Sequence, residues 1–322
     1  MELFICTTPL QVMICISIIK KKRLTKDNVE LLYFDSRKSP IIKNTLKKIE
    51  KSVNLTTYIE TKNRNFFYFH KLFFYVRKRK INSIYLASID LTLIDFILSY
   101  AKYDQFFTFD DGTANILPNS FYYKMSEFGS IKRLLRSFFG LKYNLSEIKS
   151  NSQRHYSIYS DFENIIDRVE YVELAIDDYI SHEIDKIKSC ECNVILGSCY
   201  EILWPDITET EQADLARKCK NKVFKDNVNT FYIPHPGNSK NKFFNDLDVV
   251  DVTDIAEIEI VKLLNKFEIV NVYGFVSSCQ FNIRTVSSIK NHVFYSDHMP
   301  ESYKLFFRKK LIPPEFEIIS ID

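Results

Sequence analysis

The chain has 322 residues, 46% of them apolar and 26% charged, with a formal charge of only +3. That balance fits a soluble globular protein, excludes a disordered one, and is too small to point to nucleic acid as a partner. The length suits two domains of ordinary size.

The first apolar run, Met1 to Ile19, is interrupted by Thr7, Thr8, Pro9 and Gln11. A buried strand over Leu3–Cys6, a tight turn and a helix over Leu10–Lys22 explain it better than a signal peptide or a membrane span. Strands are then expected at Val29–Phe34, Leu55–Ile59, Ile84–Ala87 and Phe106–Phe109, with helices at Ile41–Lys51, Phe66–Lys78 and Leu91–Ala101. Such alternation specifies βαβ units and a parallel sheet. The pattern fades over about 119–172, which reads as an irregular aromatic and basic insertion and a candidate dimerisation surface. It restarts with strands at Val194–Leu196, Thr230–Ile233, Ile269–Tyr273 and Val293–Tyr295, and helices at Thr208–Lys220, Ile255–Lys266 and Ser277–Ile283. The expected class is α/β: two Rossmann-like doubly wound domains, 1–180 and 190–322, facing each other across a cleft.

Seven cysteines, an odd number without a C-x-x-C pair, indicate neither a disulfide framework nor a zinc site. Reduced, cytoplasmic thiols are the expectation, with Cys190-Glu191-Cys192 flanking a strand.

Glycine is scarce: six residues, where usage of roughly 7% would give about 23. Four of them, Gly112, Gly197, Gly237 and Gly274, lie in polar loops that follow apolar strands. A glycine-poor chain keeps glycine mainly where the backbone turns sharply or a ligand approaches it. Ligands of open parallel sheets bind beyond the carboxyl ends of the strands, so these loops form one candidate site.

Each loop carries chemistry and also admits a plainer explanation. Asp110-Asp111-Gly112-Thr113 offers a carboxylate pair, one member of which could have a raised pKa and act as a general base, or an Asp-Gly turn with a solvated acid pair. Pro234-His235-Pro236 presents one imidazole on a rigid backbone, suited to a general acid, or is a rigid turn. Gly274-Phe275-Val276-Ser277-Ser278 opens a helix whose amides and hydroxyls would cradle a phosphate, or is a serine N-cap. Glu201 follows Gly197-Ser198 and could face the cleft or start a polar loop. The aromatic stretch Asn65–Lys80 and the cluster Lys132, Arg133, Arg136, Phe138 and Phe139 suit an anionic membrane surface. Core packing with a solvated basic end suits them equally. His70 is expected to pack among aromatics.

Taken in order, Ile84-Tyr85-Leu86-Ala87-Ser88, Phe109-Asp110-Asp111-Gly112-Thr113-Ala114-Asn115, Ile195-Leu196-Gly197-Ser198, Pro234-His235-Pro236 and Phe275-Val276-Ser277-Ser278 resemble the bacterial sialyltransferases of glycosyltransferase family 52, over nearly the whole chain. These enzymes act on lipooligosaccharide or capsular glycans. The resemblance implies a GT-B fold, CMP-sialic acid as donor, no metal or other cofactor, and inverting transfer to the 3-hydroxyl of a terminal galactose. It implies that His235 is the general acid and that Ser277 and Ser278 bind the donor phosphate. Glu257 reaches the ribose, and Gly197, Ser198, Pro236, Gly274 and Phe275 line the donor side. Thr7, Gln11, Gly112, Thr113 and Asn115 fall on the acceptor side, and the enzyme works in the cytoplasm at the inner membrane face.

One departure matters. The family's catalytic aspartate follows a Gly-Ser-Pro pattern, and here Cys199 and Tyr200 replace Pro and Asp. A phenol with a pKa near 10 is a poor base at neutral pH. The base is then Glu201 or the Asp110–Asp111 pair. A second GT-B sialyltransferase family, similar in its Asp-Asp-Gly and His-Pro motifs, favours the pair. A different nucleotide-sugar donor and a catalytically weak nucleotide- or glycan-binding subunit are the competing functions.

Overall fold

The N-terminal apolar run forms β1 (Glu2–Cys6), in which Leu3 to Cys6 are all buried. A continuous apolar strand of this kind is covered on both faces, as parallel sheets require. Thr8 caps the helix that follows, accepting from the Gln11 amide, and Pro9 opens it with a preset φ, giving α1 (Pro9–Lys22).

In the computed structural model the chain divides into two units, Met1–Ala175 and Ile176–Asp322. The structure describes every residue except 36–39, 62–65, 124–133, 135, 181–187, 200–203, 205–206, 237–241 and 245.

The first unit continues with β2 (Val29–Asp35), α2 (Pro40–Ile49), β3 (Leu55–Glu60), α3 (Phe66–Arg77), β4 (Ile81–Leu86), α4 (Thr92–Tyr100) and β5 (Tyr103–Phe109). After these come α5 (Leu145–Asn151), β6 (His155–Ser157) and β7 (Val169–Tyr171). The seven strands are parallel in the order β3-β2-β1-β4-β5-β6-β7. β1 pairs with both β2 and β4, so the order reverses there. Across the middle strands Phe4 stacks on Tyr85 at 4.2 Å and Tyr85 on Phe107 at 4.9 Å. Lys22, at the end of α1, lies 4.7 Å from the Phe107 ring centre and donates to the Tyr156 hydroxyl. Such offset aromatic pairs add roughly 0.5–1.5 kcal/mol each beyond their burial.

The second unit repeats the plan with β8 (Ser189–Leu196), α6 (Glu209–Val223), β9 (Asn229–Ile233), β10 (Asp248–Val249) and α7 (Ala256–Leu263). It ends with β11 (Phe267–Gly274), α8 (Ser278–Ile283), β12 (Ile289–Tyr295), α9 (Glu301–Arg308) and β13 (Glu317–Ser320). Its parallel order is β10-β9-β8-β11-β12-β13, reversing between β8 and β11. Each sheet has the doubly wound order of a dinucleotide-binding fold, whose crevice lies at the reversal.

The expected elements are present. Within the described part of the stretch expected to be irregular, α5 carries a reciprocal Asn144–Glu147 capping box, and β6 and β7 extend the sheet. Three-residue strands are too short to show a period, and the pairing of β6 with β5 and of β7 with β6 comes from tertiary packing. The two-residue β10 likewise lacks a readable signal, and β13 and α9 lie outside the expected elements. Cys190 and Cys192 lie inside β8 rather than beside it, and the seven cysteines are unbridged. His70 packs edge-on against Phe74 at 4.7 Å.

Candidate functional site

In the first unit, the carboxyl ends of β1, β4 and β5 bring together Thr7, Ser88 and Asp111, joined by Gln11 from the first turn of α1. The Thr7 amide donates to Gln11 Oε1 at 2.6 Å, and the Thr7 and Ser88 hydroxyls meet at 3.0 Å. Gln11 Nε2 donates to Ser88 Oγ at 2.8 Å and also to Asp111 Oδ1. Ser88 Oγ donates to Asp111 Oδ2 at 3.2 Å, and the Tyr122 hydroxyl donates to the same oxygen at 2.8 Å. Ser88 holds a φ of +35°, a left-handed value that costs a side-chain-bearing residue energy and that clusters at functional sites.

Burial pushes the Asp111 carboxyl above the ordinary aspartate range, and the charge of Asp90 adds to this. The Tyr122, Gln11 and Ser88 donors pull it partway back. A carboxyl poised in this way is suited to general-base work.

Its neighbour has a different fate. Asp110 is fully buried, with His155 Nε2 at 2.9 Å from Oδ1 and Asn164 Nδ2 donating to the same oxygen. Ser157 Oγ and the Ile158 amide donate to Oδ2 at 2.8 and 2.7 Å. With both oxygens satisfied and no surface, Asp110 cannot meet a substrate; it ties β5 to β6. Of the carboxylate pair, only Asp111 stands as a base candidate.

Gly112 supplies the turn between them and the next segment, with φ +112° and ψ −163°, a conformation open essentially to glycine alone. Thr113 follows in a short 3₁₀ turn. Asn115 is buried and accepts the Asp111 amide at 2.8 Å, which makes it a support for the loop. Thr7, Gln11, Gly112, Thr113 and Asn115 therefore gather around Asp111. Ser88, Asp90 and Tyr122 belong to the same cluster, and sequence reasoning gave them no role. Ser88 ends a strand motif, which was a usable signal; Tyr122 sits in the stretch read as irregular.

In the second unit, the ends of β8, β9 and β11 supply the other residues. The Gly197 amide donates to the Ile233 carbonyl at 2.7 Å, drawing the β8 and β9 loops together. Cys199 Sγ lies 3.0 Å from His235 Nδ1, and His235 and Pro236 are exposed. Ser198 is half-buried. Beyond β11, Phe275 meets Trp204 edge-on at 5.2 Å, and Val276 takes a φ of +32°, costly for a β-branched residue.

Ser277 is the N-cap of α8, its hydroxyl accepting the Cys279 amide while Gln280 reaches back to the Ser277 amide. The capping explanation thus holds for Ser277, whereas Ser278 is exposed at the first helical position. Gln280 is buried and donates to the Val272 and His292 carbonyls, fixing this turn to the sheet. Glu257, in the first turn of α7, is nearly buried and accepts from Asn282 Nδ2 of α8 at 2.7 Å. Burial raises its carboxyl above the ordinary range. Glu201, Tyr200 and Gly237 lie outside the described residues, as do Lys132 and Arg133. Among the described residues, no three His, Cys, Asp or Glu side chains gather as a metal-holding group.

The chain is similar to known proteins. The CMP-N-acetylneuraminate:beta-galactoside alpha-2,3-sialyltransferase of Pasteurella multocida is 30% identical over 293 residues, covering 89% of this chain and 88% of the relative. An N-acetyllactosaminide alpha-2,3-sialyltransferase of Haemophilus influenzae is 26% identical over 289 residues, covering 88% of each. The UDP-GlcNAc 2-epimerase of Neisseria meningitidis, solved with UDP-GlcNAc, superimposes with a TM-score of 0.56 at 10% identity, covering 100% of this chain and 88% of that one. That likeness speaks for the fold, which is GT-B. The glycosyltransferase family 52 profile matches residues 33–294, a span that takes in the Asp111, His235 and Ser277 loops alike, and the chain belongs to that family.

Proposed function

We propose that this glycosyltransferase moves sialic acid from CMP-sialic acid to the 3-hydroxyl of a terminal galactose on a bacterial surface glycan, with inversion and without a metal. The observation that carries the reading is Asp111, a carboxyl raised by burial at a strand end lined with hydroxyl and amide groups. An inverting displacement needs a base for the acceptor hydroxyl and an acid for the leaving phosphate. Asp111 takes the proton as the galactose oxygen attacks, the bond from the sialic acid anomeric carbon to the phosphate breaks, and His235 protonates the departing CMP. Ser278, with the backbone of the Phe275–Ser277 turn, holds the phosphate, and Glu257 meets the ribose. The sialyltransferase names of the two relatives support this choice of donor.

Contact with a membrane in this reading is peripheral. No helix among the described residues is long and apolar enough to cross a bilayer. Leu134, Phe138 and Phe139 are exposed at 72, 82 and 59%, in the same unit as the exposed Phe74, Arg77 and Lys78. Apolar rings beside cations suit the inner face of an anionic membrane.

A thermal-shift panel of CMP, UDP and GDP with their sugars tests the donor, run with and without EDTA. CMP and CMP-sialic acid should raise the melting temperature and EDTA should leave transfer intact. A larger shift with UDP or GDP points to another nucleotide sugar. CMP binding without hydrolysis or transfer points to a binding subunit.

A further inference from the structure

The β8 and β9 loops meet in a sulfur–nitrogen contact, Cys199 Sγ to His235 Nδ1 at 3.0 Å. Two backbones hold the pair. The Gly197 amide is bonded to the Ile233 carbonyl, and a β-carbon at position 197 would stand 2.6 Å from the His235 amide nitrogen. Only glycine lets the loops approach so closely. Pro234 and Pro236 restrict the backbone on either side of the imidazole. The thiol is nearly buried while the ring reaches solvent, so the sulfur lies behind the ring rather than in front of it. Tyr303 of α9 lies near the same sulfur, and burial chiefly holds its phenol above the ordinary range.

We propose that Cys199 is a positioning residue for His235, engaging Nδ1 so that the transferable proton stays on Nε2. This rests on the acid role given to His235 above. A thiol is both a weak donor and a weak acceptor. Beside a neutral ring, S–H donates to Nδ1 and the ring proton sits on Nε2. Beside a charged ring, Nδ1–H donates to sulfur and Nε2 again carries a proton. When the charged ring gives its Nε2 proton to the leaving phosphate oxygen, which keeps the electron pair of the broken bond, the ring becomes neutral. Its remaining proton stays on Nδ1, still donated to sulfur, until Nε2 of the solvent-exposed ring takes up a new proton from water and the charged form is restored. The imidazole never has to turn. An alanine at 199 offers neither donor nor acceptor, and the tautomer and orientation of the ring are then unset.

The test compares intact wild type, Cys199→Ala, Cys199→Ser and His235→Gln, using CMP-sialic acid and lactose as probes. His235→Gln should lose about 10²-fold or more in kcat. Cys199→Ala should lose about 5- to 10-fold in kcat with donor KM little changed, and Cys199→Ser, which keeps a donor and acceptor, should recover most of it. Nitrogen-15 NMR reads the ring directly, its signals identified by their loss in His235→Gln. Wild type should show Nδ1 engaged and Nε2 protonated, and Cys199→Ala a mixture of tautomers. Unchanged ring signals in Cys199→Ala overturn the positioning role, whatever its kcat. Wild-type turnover in Cys199→Ala, with His235→Gln inactive, overturns it while leaving the acid in place. Wild-type turnover in His235→Gln removes the acid reading itself.

Discussion

Gly197 and His235 are in such close contact that a β-carbon on the glycine would lie 2.6 Å from the histidine amide nitrogen, and 2.5 Å from the Tyr232 hydroxyl. Gly197→Ala must therefore push β9 and its loop away. Overpacking of this kind costs about 1–3 kcal/mol, and a misplacement of about 1 Å at a reacting group can cost roughly 10²-fold in rate. The variant should melt lower and lose kcat more than donor affinity. Wild-type kcat in a folded Gly197→Ala would show that the loop spacing does not matter.

Asp111 links activity and stability in opposite directions. Its carboxyl is raised in the folded state, chiefly by burial. A raised acid contributes stability below the ordinary aspartate range, and that contribution is lost as pH rises through the raised value. Asp111→Asn should thus be more stable than wild type near neutral pH, with the gap closing in acid, while transfer falls about 10²- to 10⁴-fold. In wild type the acid limb of kcat/KM should fall at a pH above the ordinary aspartate range, because the base works only when ionised. Melting curves and rates across pH check both. Glu201→Gln run beside it decides the base: loss there, with Asp111→Asn active, transfers the role to Glu201.

Asp110 should behave as structure alone. Asp110→Asn turns an amide group toward donors that now meet a carboxylate, and the mismatch costs about 1–3 kcal/mol. Denaturant unfolding should show the loss, and kcat of the folded fraction should stay near wild type. A large kcat loss without destabilisation would return Asp110 to the chemistry.

The two serines after β11 should separate cleanly. Ser277→Ala removes an N-cap worth about 1 kcal/mol and should lower the melting temperature. Ser278→Ala touches no cap, so its stability should hold while donor KM rises about tenfold, the loss of a hydrogen bond to a charged phosphate. Equal donor KM in both variants and wild type would remove the phosphate role from this turn.

Much of the fold was legible because parallel strands and their helices obey strong local rules. β1, β4, β8 and β11 are apolar runs, and Thr8-Pro9 and Ser277 mark helix starts by their own chemistry. The strand-end loops were legible too, since so few glycines leave little choice of where the chain turns tightly. Short β6, β7 and β10 were not, because strands of two or three residues carry no period and exist only through their partners.

The candidate site divides along the same line. The sequence by itself determined which loops are candidates for the chemistry: His235 between two prolines, the acid pair before Gly112, the hydroxyls after Gly274. Only the tertiary structure decided what each group can do there. Asp110 and Asp111 are adjacent in sequence, yet one is enclosed by His155, Asn164, Ser157 and the Ile158 amide, while the other meets Gln11, Ser88 and Tyr122. Those partners lie up to 100 residues away along the chain. The physical reason is that a carboxyl's protonation and access are set by burial and by donors brought in from other strands, which no local pattern records. The same holds for Cys199, whose thiol gains a partner only when the fold sets it against His235.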